Sequence, residues 1–140
     1  MEPRSLYLLA MLGLPALAVV NAFRFGTELK NFVDSTQRLE SSHDIERFKT
    51  VVAHQMYAAL LQIVLLAAPL VIFGVGVVRG VLNPPDILYI IGPSAVILIV
   101  AAMYRGHEKR AKSILTADPE LERQRDAIVR TWLRKPLPDW

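Results

Sequence analysis

The sequence predicts an all-α integral membrane protein with three transmembrane helices, and three observations carry that expectation. Hydrophobic residues make up 53% of the 140-residue chain, above the roughly 45–50% usual for soluble domains. Charged residues are 21% of the total, but they avoid three long stretches. Residues 6–23, 55–78 and 87–104 hold no Asp, Glu, Lys, Arg or His. A helix rising about 1.5 Å per residue needs about 20 apolar residues to cross a hydrocarbon core about 30 Å thick. A soluble domain of this length would have too little chain left to cover three such helices. Lipid cannot satisfy an open strand edge, so only helices are considered. The same composition, with no Cys and a net charge of +3, excludes a disordered chain, a disulfide scaffold and a basic nucleic-acid binder.

The first span is expected over about 6–23. Arg4 precedes it and Val20-Asn21-Ala22 is a passable signal-peptide cleavage site, but the segment is read as an uncleaved anchor, in which Gly13 and Pro15 are tolerable. Beyond it Phe25, Leu29, Phe32, Thr36 and Leu39 follow the alternating four- and three-residue spacing of a coiled-coil seam, so the helix is predicted to run on out of the membrane. Ser41 or Ser42 then caps a new helix, whose positive N-terminal end suits Asp44 and Glu46. Ile45, Phe48 and Val52 lead into the second span, about 57–78. Helices 1 and 2 together are expected to form an antiparallel hairpin over 25–54. Asn83-Pro84-Pro85-Asp86 reads as a tight turn, because Pro-Pro cannot continue a helix.

The third span, about 87–104, is expected to continue likewise, with Tyr104, His107, Ala111 and Ile114 on one face. Asp118-Pro119-Glu120 breaks that run and starts a C-terminal amphipathic helix, with Asp118 as cap and Pro119 at its first position. Leu121, Ile128, Val129 and Trp132 form its apolar stripe. Residues 136–140 read as a non-helical tail.

Charge sets the orientation. Arg4 and Arg79 are the only basic residues on one side of the spans, and the other fourteen of sixteen lie on the opposite side. The positive-inside rule puts the N-terminus outside and both the hairpin and the tail, 105–140, in the cytoplasm, as in a bacterial inner (plasma) membrane. Tyr7 and Tyr89 then mark one interface, and Tyr57 and Tyr104 the other.

An uncharged interior argues against a pump or coupled transporter, whose relays need ionisable groups in the membrane. Asn21 and Gln62 are the polar intramembrane candidates, either as an interhelical hydrogen bond worth about 0.6 kcal/mol or as pore-lining amides. Gly74, Gly76 and Gly80, with Pro69 and Pro93, suggest close helix packing. His54 and His107 are the only candidates for a metal or haem, and no motif supports either role. No catalytic, cofactor or metal residue is assigned. Phe25, Leu29, Phe32, Leu39, Ile45, Phe48, Val52, Trp132 and Trp140 are expected to pack within the chain or on a partner. Arg105, Lys109, Arg110 and Lys112 are expected to meet anionic lipid.

Ile45-Glu46-Arg47 followed by Ala53-His54-Gln55-Met56 resembles slightly the charged start of the second helix in the MAPEG family of small membrane enzymes. That family has four spans, and Met56 and Ala59 stand where its Asn and Glu are expected. No family is assigned and no catalytic residue is carried over. The expected function is a non-enzymatic membrane subunit or an assembly or scaffold factor, binding copies of itself or other subunits through the hairpin and tail. The alternative is a homo-oligomeric channel, since three spans with an outside N-terminus and a basic tail are similar to some phage holins. A small membrane enzyme or haem protein is the third possibility.

Overall fold

The computed structural model describes residues 2–140 and is helical throughout, apart from short connections. Its elements are α1 (Pro3–Ser35), β1 (Arg38–Leu39), α2 (Ser42–Val78), a 3-10 turn (Pro84–Ile87), α3 (Leu88–Lys112), β2 (Leu115–Thr116) and α4 (Pro119–Arg134). Three helices, Pro3–Ser35, Ser42–Val78 and Pro84–Lys112 with its 3-10 start, are long and apolar enough to cross a membrane. Only 22, 11 and 17% of the residues in their most apolar windows are buried. Apolar surface facing outward is the reverse of a soluble fold and compatible with an integral membrane protein.

Contacts divide the chain into two compact units, and α1, α2 and α3 contribute to both. The first comprises the described residues up to Phe23 together with Leu61–Ala101. Met11, Leu82 and Ile90 form its small core, with Tyr7, Leu8, Ile72 and Phe73 packed on it. Asn21 Nδ2 donates to Gln62 Oε1 at 2.9 Å, joining α1 to α2. At the start of α1, Arg4 Nη2 donates to Asp86 Oδ1 at 3.1 Å. Asp86 also accepts from the Asn83 N–H at 2.8 Å.

The prolines occupy two kinds of position. Pro15, Pro69 and Pro93 lie inside unbroken helices. Pro84 and Pro85 lie in the tight turn expected there, closed by the Asp86 N–H on Asn83 O at 2.9 Å, and this 3-10 turn leads directly into α3. Having no N–H, a proline is accommodated most easily in the first turn of a helix, where that N–H would have no intrahelical acceptor. The glycines also separate. Gly80, with φ 68°, ends α2 in the left-handed conformation. The Gly80 N–H bonds Val77 O and the Val81 N–H bonds Gly76 O, which is the Schellman pattern. Gly76 instead takes the close approach of Leu82 and Tyr7. The pair is therefore a helix stop and a packing contact, and not a single small-residue interface.

The second unit comprises Arg24–Leu60 and Ala102–Trp140. Its core gathers Leu29, Phe32, Val33, Leu39, Ile45, Phe48, Val51, Val52 and Met56 with Ala111, Ile114, Leu121 and Ile128. Asp118 Oδ1 accepts from the Leu121 N–H at 2.9 Å, capping α4 with Pro119 at its first position. Ser41 Oγ accepts from the Asp44 N–H at 3.3 Å and so caps α2.

One expectation about this unit is corrected. The coiled-coil spacing predicted helix through Leu39, but α1 ends at Ser35. Arg38 and Leu39 pair in parallel with Leu115 and Thr116, and Leu39 O accepts from the Ala117 N–H at 2.9 Å. Leu39 is fully buried all the same. The spacing identified a core side chain and not its backbone state, because backbone groups near a buried side chain need partners and a neighbouring loop supplies them.

Candidate functional site

The second unit holds most of the residues singled out from the sequence. Its α1 and α2 segments meet through matched pairs. Gln55 Nε2 donates to Phe25 O at 2.7 Å, His54 Nδ1 lies 2.6 Å from Glu28 Oε1, and the Phe32 and Phe48 rings stack at 5.8 Å. Helical periodicity produces this, since 25, 29 and 32 fall on one face of α1, and 45, 48 and 52 on one face of α2. Leu29, Phe32, Leu39, Ile45, Phe48 and Val52 are all buried in the core and Phe25 is half-buried. A molecule approaching from outside meets other side chains.

The outer surface over this core is an open cleft of about 750 Å³. Arg24, Glu28 and Asn31 of α1 and Glu46 and Arg47 of α2 line it, with Phe32 at its apolar floor. The Arg47 guanidinium lies 5.6 Å from the centre of the Phe32 ring, a cation–π distance. Acidic and basic walls over an aromatic floor can pair with a polypeptide surface of mixed charge.

A second contact joins α1 to α3. Tyr104 and Thr27 share a hydrogen bond through their hydroxyls at 2.9 Å. A Cβ placed on Gly26 would fall on the Tyr104 ring. The sequence marks Tyr104 as an interfacial ring but does not mark Gly26 as its partner. The available signal was a glycine in the middle of a helical pattern, which is costly unless something packs against it.

No family model matches this chain, and no curated protein or solved structure is significantly similar to it. The four basic residues after the third span have different surroundings. Arg110 Nη1 donates to Asp34 Oδ1 at 3.2 Å. Lys112 pairs with Glu108 and lies 4.9 Å from the centre of the Trp132 ring. Arg105 and Lys109 are exposed.

Trp132 packs on the core, whereas Trp140 is 44% exposed. Lys135 and Thr131 both bond the Asp139 carboxylate, which folds the last residues back on the end of α4. The Lys135 ammonium holds the Asp139 carboxyl below the usual range. The two histidines weighed as ligands are engaged differently. His54 has Glu28, and the His107 ring lies 6.2 Å from that of Tyr104. Among the described residues no three His, Cys, Asp or Glu side chains gather as a metal site would require.

Proposed function

We propose that this chain is a non-enzymatic integral membrane subunit or assembly and scaffold factor. Its N-terminus lies outside a bacterial inner membrane, and its hairpin (25–54) and tail (105–140) lie in the cytoplasm. The observation that carries this reading is the charged cleft over Phe32, on a unit that closes its own core. The matched contacts of Phe25 with Gln55 and of Phe32 with Phe48 support an antiparallel hairpin. The lack of any Asp, Glu, Lys, Arg or His in 6–23, 57–78 and 87–104 supports an anchoring role for the spans. The occupant of the cleft is a protein segment from another subunit or a second copy of the chain.

A photo-crosslinking residue in place of Asn31, which is exposed in the cleft, tests the reading in native membranes. The expected result is a discrete crosslinked protein that disappears in Arg47→Glu. A chain that stays monomeric and uncrosslinked would overturn it. Steady conductance of the purified protein in planar bilayers would replace it with the channel reading.

A further inference from the structure

We propose that Arg105 and Lys109 form a binding site for the headgroup phosphate of an anionic phospholipid. The proposal goes beyond the scaffold reading and does not depend on it. It rests on how the structure divides a basic cluster that is uniform in the sequence. The guanidinium of Arg110 is held by Asp34 at 3.2 Å. The Lys112 ammonium is held by Glu108 and lies over the Trp132 ring. Both charges are used within the chain. Arg105 and Lys109 are exposed, and among the described residues neither side chain makes an ion pair.

Four residues apart on α3, these two side chains project from one helical face. Gly106 flanks this pair on one side with open space where a Cβ would stand, Glu108 on the other side is held by Lys112, and Ala102, one turn before, is exposed and small. An anion can therefore come close to the helix beside Gly106, within reach of a guanidinium and an ammonium. A phosphodiester carries one negative charge and two free oxygens, which suits the Arg fork with a Lys point charge beside it, and an anionic lipid lacks the choline cation that offsets this charge in phosphatidylcholine. Lipid is the favoured source because Arg105 directly follows the uncharged run 87–104. In a bilayer that places both side chains at headgroup level, where each basic residue gains from the anionic surface.

The test reconstitutes the full chain in phosphatidylcholine vesicles containing a minor fraction of spin-labelled phosphatidylglycerol, with spin-labelled phosphatidylcholine as reference. The expected result is enrichment of the anionic lipid in the motionally restricted layer around the protein. Arg105→Gln and Lys109→Gln should each reduce that enrichment about fivefold, while Arg105→Lys retains most of it. Arg110→Gln and Lys112→Gln should leave it unchanged. Unaltered helical circular dichroism and melting of the first two variants would show that folding is not the cause. Three results would each overturn the proposal: no enrichment with the unaltered chain, equal loss in all four Gln variants, or abolition by inorganic phosphate at constant ionic strength. The last would assign the site to a soluble phosphate.

Discussion

Two glycines on the helices of the second unit illustrate how local surroundings decide the sign of a substitution. Gly26 faces the Tyr104 ring, and an added Cβ would overlap it. Overpacking costs about 1–3 kcal/mol, against a gain in helix propensity of about 1 kcal/mol. Gly26→Ala should therefore lower the melting temperature in detergent. Gly106 has open space, so Gly106→Ala should raise it by the propensity gain alone. Asp44 supplies a pH dependence. The Glu40 N–H donates to its carboxylate at 2.9 Å and, with Ser41 and the Arg47 charge, holds its pKa below the usual value against partial desolvation. A depressed folded pKa stabilises the fold above the unfolded value of about 3.9, and that contribution is lost as pH falls through the lower folded value. Asp44→Asn should flatten the fall in melting temperature measured across that acidic window.

The helices themselves were legible because their signals are long. Three uncharged runs and two cap sequences, Ser41-Ser42-His43-Asp44 and Asp118-Pro119-Glu120, mark most of the boundaries observed. The misplaced ends occur where side-chain pattern and backbone state part company. Thr36 and Leu39 continue the apolar rhythm of α1, but the chain has already left the helix, and no local residue announces its pairing with Leu115 and Thr116. Pro84 and Pro85 mark a break correctly while concealing that the break is also a start. Phe48 is the test of the core these elements share. It is fully buried and stacked on Phe32, so Phe48→Ala should cost about 3–5 kcal/mol. Phe48→Leu, which refills much of the volume, should recover most of that. Thermal unfolding followed by circular dichroism, with proteolysis of residues 25–54 as a local readout, would measure both.

For the molecule as a whole, orientation in the bilayer is the property on which the functional reading depends. The chain has no Cys, so single cysteines can report it without background. Asn83→Cys should react with a membrane-impermeant maleimide in intact cells, and Glu40→Cys only after permeabilisation. The opposite labelling would place the cleft outside the cell. The cleft was only partly readable beforehand. Its floor residue, Phe32, lies in the apolar seam that the sequence shows, but nothing in the sequence joins Arg24, Glu28 and Arg47 to it, because their common wall exists only where α1 and α2 lie side by side. The parallel pairing of Arg38 and Leu39 with Leu115 and Thr116 also has a bearing on biosynthesis. A ribosome releases the first connection well before the last one exists. Leu39 and the backbone around it must wait, uncovered, until the third helix has been delivered and the chain turns toward α4. Nascent chains stalled short of residue 115 should accordingly be open to protease at residues 36–41, and those extended beyond α4 should be closed.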